Sequence, residues 1–285
     1  MRRIVIHADD VGMCHGANQA FIELSRLGTI SSGSVMVPCP WFPELANAAI
    51  AEPTLDVGVH LTLNAEQQGY RWGPVSRPPA SAGLTDGDGY LWRDVASVRR
   101  HAHPEAVEVE WRAQIDRALA AGIDVTHLDA HMGSSLAPEW CDRYIALGVE
   151  YRVPALITSA LSAYDPNNHL AGVSEATFSS FVASAREAGM PVFDRVLETD
   201  FSRPRGGPID YAAKLHSTDV DLVYCAFHPC RPGPGEIEHI EPGSHHVRVD
   251  EYELFGTNDW GSWLQEQDFE VIGMRELRDT WRGAR

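Results

Sequence analysis

The stretch that decides the fold is Gly122-Ile123-Asp124-Val125-Thr126-His127-Leu128-Asp129-Ala130-His131-Met132-Gly133. Its β-branched start and polar end read as a buried strand running into a loop. On a strand alternate side chains share a face, so His127, Asp129 and His131 point one way and Leu128 and Ala130 the other. Two imidazoles and a carboxylate on one face suit a divalent metal or a proton relay. The plainer reading is a polar strand end with hydrogen-bonded histidines. A helix would also align His127 with His131, but it would lose Asp129.

Working outward, strand-like and helix-like patterns alternate along the chain. Before the anchor, residues 105–121 form an amphipathic helix with Trp111, Ile115, Ala118 and Leu119 on one stripe and Gly122 as its stop. Strands are expected at 3–8, 34–37, 55–63, 149–153, 191–193, 222–227 and 269–272. Helices are expected at 15–27, 43–51, 138–147, 174–188, 210–216, 275–281 and within 251–266. Residues 64–100, rich in Gly, Pro and Asp, form a long excursion. Seven or eight β/α units predict an α/β fold with a mostly parallel sheet, closed as a barrel or open and doubly wound. No Gly-x-Gly-x-x-Gly follows the first strand, so a dinucleotide-binding first turn is absent, and a barrel, regular or irregular, is favoured as a single domain over residues 1–285.

Composition narrows the function classes. The chain has 285 residues, 44% hydrophobic and 22% charged, with a net charge of −17. That balance disfavours a nonspecific nucleic-acid binder and a polybasic membrane anchor. Met-Arg-Arg leads directly into Ile4-Val5-Ile6, with no leader pattern, and no apolar run is long enough to span a membrane. The five cysteines include no Cys-x-x-Cys pair, so reduced thiols and a cytoplasmic protein are expected. Homo-oligomerisation stays open.

Folds of this class place their chemistry at the C-terminal ends of parallel strands. Polar residues fall there repeatedly: Asp9 and Asp10, His60 inside an apolar run, the anchor residues, Arg152, and His228 before Pro229. Singly, each has a bland role as helix cap, core histidine, ion-pair partner or turn residue. A shared pocket accounts for all of them together. Two imidazoles and one carboxylate with open positions make a catalytic rather than a closed structural metal site. A second carboxylate beside it could accept a proton from water, and a histidine opposite could protonate a leaving amine. A nearby arginine would hold the base ionised. Together these suffice to hydrolyse an amide, and no Gly-x-Ser-x-Gly elbow suggests a covalent route.

Four stretches carry a family resemblance: His7-Ala8-Asp9-Asp10-Val11-Gly12, Gly28-Thr29-Ile30-Ser31-Ser32, Gly58-Val59-His60-Leu61 and Thr126-His127-Leu128-Asp129-Ala130-His131. In that order they resemble the YdjC-like carbohydrate deacetylases, which include the chitooligosaccharide and hopanoid-biosynthesis deacetylases. The resemblance implies a distorted barrel related to polysaccharide deacetylases. It implies one divalent ion, Mg²⁺ or Zn²⁺, on Asp10, His60 and His131. It also implies Asp9 as base, His228 as acid, Arg152 as the group orienting the base, and His127 and Asp129 as groups fixing the ligands. Val11 stands where the family commonly has an aromatic residue, and Met132-Gly133 follow His131 where some members carry further histidines.

The expected function is therefore metal-dependent removal of an N-acetyl group from an amino-sugar or oligosaccharide. Trp41, Trp72, Trp92 and Tyr90 are candidates to stack on sugar rings. Two alternatives remain: another barrel-type hydrolase or isomerase acting on sugars or sugar phosphates, and a carbohydrate-binding protein without turnover.

Overall fold

The computed structural model describes residues 2–164, 172–216 and 220–284. Seven strands lie within them: β1 (Arg2–Val11), β2 (Ser32–Val35), β3 (Val57–Leu61), β4 (Val125–Ala130), β5 (Arg195–Glu198), β6 (Leu222–Phe227) and β7 (Phe269–Val271). All pairings are parallel, in the order β4-β3-β2-β1-β6-β5, with β7 beside the first residues of β1. The two edges meet through residues 154–159. Leu156 N–H donates to Leu128 O at 2.8 Å, and Phe193 N–H to Ile157 O at 2.9 Å. These contacts join β4 to the chain entering β5 and close an irregular barrel.

Eleven helices connect and flank the strands among the described residues: α1 (His15–Leu27), α2 (Phe42–Ala51), α3 (Val95–His101), α4 (Pro104–Ala120), α5 (Cys141–Tyr151), α6 (Glu175–Glu187), α7 (Tyr211–His216), α8 (Glu236–Ile240), α9 (His245–Phe255), α10 (Asn258–Glu266) and α11 (Met274–Gly283). None is long and apolar enough to cross a membrane. α1, α4 and α11 pack on β1, β3 and β4. The strands' alternation explains which face they cover. In β3, Gly58 and His60 face inward with His127 and Asp129, while Val57, Val59 and Leu61 face the helices, all buried. Each such aliphatic side chain contributes roughly 1.5–3 kcal/mol on burial. The interior is unusually polar: His7, Ser34, His60, His127, Asp129 and Tyr224 are all buried there and bonded to one another.

One expected strand is a helix end. Residues 149–153 continue α5 to Tyr151, and Arg152 caps it in the left-handed region at φ 56. Arg152 N–H and Val153 N–H close onto Val149 O and Gly148 O, so the extended chain begins only beyond Pro154. The excursion at 64–100 gains a short helix, α3, capped by the Asp94 carboxylate, which accepts from Ser97 N–H at 2.7 Å.

Candidate active site

Asp9 and Asp10 are consecutive, yet both carboxylates reach the barrel mouth. A regular strand would send them to opposite faces. Between Ala8 and Val11 the pairing with β2 shifts register, so β1 carries an extra residue. Asp10 takes up the kink in the left-handed region, φ 57, a conformation costing an aspartate about 1–3 kcal/mol. Gly12 (φ 89) completes the turn, and its N–H donates to Asn18 Oδ1 at 2.7 Å.

Asp10 is the hub. Its Oδ1 lies 2.9 Å from His131 Nδ1 and 3.3 Å from His60 Nε2. The candidate ligand atoms of Asp10, His60 and His131 all lie within 4.8 Å of one another. Each ring is fixed from behind, as metal-binding histidines usually are. His60 Nδ1 is 2.9 Å from Asp129 Oδ1, whose other oxygen accepts from Ser34 Oγ and Tyr224 OH at 2.9 and 3.0 Å. His131 Nε2 is 2.9 Å from Glu66 Oε2. One nitrogen of each ring is thus left pointing at Asp10, and this donor set fits a divalent ion with open positions.

Two other groupings have similar spacing, His7 with His127 and Asp129, and Asp9 with His60 and Asp129. In the first, His7 and His127 already hold each other, Nε2 to Nε2 at 2.9 Å. Their remaining nitrogens go to Asp9 Oδ1 at 2.6 Å and to Thr126 Oγ at 2.9 Å. Thr126 Oγ donates onward to Asp56 Oδ1 at 2.6 Å. A buried chain of hydrogen bonds therefore crosses the barrel from Asp9 to Asp56.

The electrostatics follow from burial and these partners. Burial pushes the Asp10 carboxyl up, but His131 and Arg248 outweigh it and hold the group well below the usual carboxylate range. Burial lowers His131, but Glu66 and Asp10 outweigh it and raise the ring to about 9. The Asp9 carboxyl is raised well above its ordinary value, chiefly by burial. His228 moves down, again through burial.

His228 follows β6 and faces the carboxylate pair. Its Nε2 is 3.8 Å from Asp9 Oδ2 and 3.9 Å from Asp10 Oδ2. These residues line a cavity of about 280 Å³ with Tyr144, Tyr164 and Phe201 on its walls. Asp9, Asp10, His60, His131 and His228 thus come together as expected from their strand ends.

Arg152 does not join them. It is exposed at the end of α5, outside the cavity lining, and its carbonyl accepts from Arg282 Nε at 2.8 Å. The arginine at the site is Arg248 of α9, whose Nη2 donates to Asp10 Oδ2 at 2.8 Å while its Nε donates to Glu241 at 3.0 Å. Nothing local in the sequence marks Arg248. Glu66 was findable, because it lies just beyond the end of β3, where such sites collect their groups. Of the loop aromatics, Trp72 is buried and donates to Asn64 O, and Trp92 donates to Gly83 O, so both hold the excursion together. Of the aromatics on the cavity wall, Phe201 stands beside the polar residues, 4.8 Å from the His228 ring and 5.0 Å from the Arg248 guanidinium. All five cysteines are free and buried.

Carbohydrate deacetylases from Brevibacillus brevis and Thermus thermophilus are each 36% identical to the chain, over 152 and 160 residues. Those matches cover 53% and 56% of this chain and 58% and 55% of the relatives, so the chain spans little more than half their length. The crystal structure of an Enterococcus faecalis protein, thought to cleave cellobiose phosphate, superposes with a TM-score of 0.75, covering 97% of this chain and 98% of that one. At 22% identity that likeness is one of fold. The family model described as YdjC-like protein matches residues 3–266, and the chain belongs to the YdjC-like family.

Proposed function

We propose that the chain is a metal-dependent carbohydrate deacetylase that hydrolyses the N-acetyl group of an amino-sugar or its oligomers. The observation that carries this reading is the convergence of Asp10, His60 and His131 at one wall of a cavity, with Asp9 and His228 beside them. Asp10, His60 and His131 would hold the ion. A divalent ion there would act as a Lewis acid toward the acetyl carbonyl and lower the pKa of an attacking water. Asp9 takes the proton from that water. The His7 ring, its Nδ1 2.6 Å from Asp9 Oδ1, fixes the orientation of that carboxylate. His228, on the other side of the carboxylates, delivers a proton to the departing amine. Phe201 offers an apolar face to a sugar ring.

The walls argue against a sugar phosphate. Glu66, Glu198 and Glu241 line the cavity with the Asp pair, and Arg248 is its one Lys or Arg among the described residues. The Nε and Nη2 donors of that arginine are already committed to Glu241 and Asp10. A phosphoryl group would meet an acidic wall without a free guanidinium fork. The ion could be Mg²⁺ or Zn²⁺, since imidazole and carboxylate ligands serve both.

The test is acetate release from a panel of N-acetylated mono- and oligosaccharides, run beside phosphate release from sugar phosphates, on protein supplied with Mg²⁺ or Zn²⁺. Acetate from at least one sugar, lost on chelation, supports the reading. Phosphate release without acetate, or full activity after chelation, overturns it.

A further inference from the structure

Behind His228 lies a polar cluster with no part in the chemistry proposed so far. Glu251, fully buried in α9, accepts three hydrogen bonds: from Thr199 Oγ at 2.7 Å, from the backbone N–H of His228 at 2.7 Å, and from Tyr211 OH. Thr199 Oγ also lies 2.9 Å from His228 Nδ1. A threonine hydroxyl has one hydrogen. It goes to the carboxylate at 2.7 Å in preference to the Ala226 carbonyl at 3.4 Å. With that hydrogen committed to the ionised Glu251, Thr199 accepts from His228, and Nδ1 carries the proton. Nε2 is then the nitrogen that faces the cavity and exchanges a proton.

We propose that Glu251 and Thr199 are positioning residues for His228: through the threonine hydroxyl, the carboxylate keeps the proton on Nδ1 and turns Nε2 toward the leaving group. This rests on the deacetylase reading of the site. The need for such a pair follows from the surroundings. The His228 side chain is only 14% exposed, and its Nδ1 is turned away from the cavity onto Thr199. As an acid, the ring must carry protons on both nitrogens. A buried carboxylate acting through one hydroxyl stabilises that form, as a directly bonded carboxylate does in a catalytic triad. In the cleavage step the C–N bond breaks, the Nε2 proton passes to the amine nitrogen, and the ring is left neutral with its proton on Nδ1. α9 delivers both partners: Arg248 faces Asp10, and Glu251, three residues on, stands behind His228.

The decisive experiment is long-range ¹H–¹⁵N correlation on histidine-labelled protein, with His228 assigned by the loss of its signals in His228→Asn. It is paired with steady-state kinetics on the best sugar of the panel. The wild-type ring is expected to be neutral with Nδ1 protonated. Thr199→Val keeps the shape and removes the link. It should abolish the Nδ1–H preference and lower kcat tenfold or more with KM within about twofold, while Thr199→Ser restores both readouts. Glu251→Gln should act like Thr199→Val, in the same direction. A wild-type ring protonated at Nε2, or a Thr199→Val protein with an unchanged tautomer and kcat, overturns the proposal. Tautomers are read without turnover, so absence of acetate release from every sugar sinks the deacetylase reading while the spectrum still decides this one.

Discussion

Arg248 Nη2 donates to Asp10 Oδ2 at 2.8 Å, linking two residues 238 positions apart in the chain, both nearly devoid of solvent contact. The guanidinium also pairs with Glu241, so two buried carboxylates share one cation. Removing that cation takes from Glu241 its guanidinium partner and leaves Asp10 with its histidine neighbours alone. Arg248→Met is expected to destabilise the fold by about 3–5 kcal/mol, read as a lower urea midpoint. Glu241→Gln in the same protein should recover part of the loss. A midpoint unchanged in the single variant would show that the pair contributes nothing.

The His7–His127 pair predicts a pH signature. Both rings are pushed down to about 4, chiefly by burial. A depressed histidine contributes stability that is complete above its unfolded value near 6.5 and is lost as pH falls toward 4. Each ring can contribute at most about 3 kcal/mol in this way. His127→Gln should therefore cost more stability at pH 7 than at about pH 4.5, measured by urea denaturation at both. An equal cost at the two values would mean that the ring is not held neutral.

Gly58 tests how tightly that pair is seated. A Cβ there would lie 2.4–2.6 Å from three atoms of the His127 ring. The ring cannot swing away, because both its nitrogens are bonded. Gly58→Ala should lower stability by about 1–3 kcal/mol and depress turnover, seen as a reduced melting temperature with weaker acetate release. Wild-type melting and turnover would show that the interior yields.

Ion binding should be visible in stability alone. A ligand that binds only the folded state at a hundredfold excess over its Kd stabilises by about 2.7 kcal/mol. Mg²⁺ or Zn²⁺ should raise the melting temperature of the wild type and fail to raise that of His131→Ala. Equal shifts in both proteins would place the ion elsewhere.

Much of the fold and of the site is legible in the sequence. Alternation in Val57-Gly58-Val59-His60-Leu61 marks one apolar and one functional face, and the anchor strand does the same for His127 and Asp129. Both signals are local and periodic, so they survive reading one residue at a time. Arg152 misleads because 149–153 mixes β-branched and aromatic residues, while tertiary packing keeps Tyr151 helical and leaves Arg152 as an exposed cap. Arg248 and Glu251 leave no trace in the sequence, since only the folded chain brings α9 to the mouth of the barrel. The shared direction of Asp9 and Asp10 depends on a bulge against β2, which no alternation pattern predicts.

The most direct test of the proposed chemistry is acetate release by Asp9→Asn, assayed with its metal content measured beside the wild type. In the proposed chemistry Asp9 accepts the proton of the attacking water and is not among the ion's ligands. Wild-type metal content and a fall in kcat of roughly 10²–10⁴-fold are therefore expected. Near-wild-type turnover in that variant would contradict the assignment of Asp9 as the base.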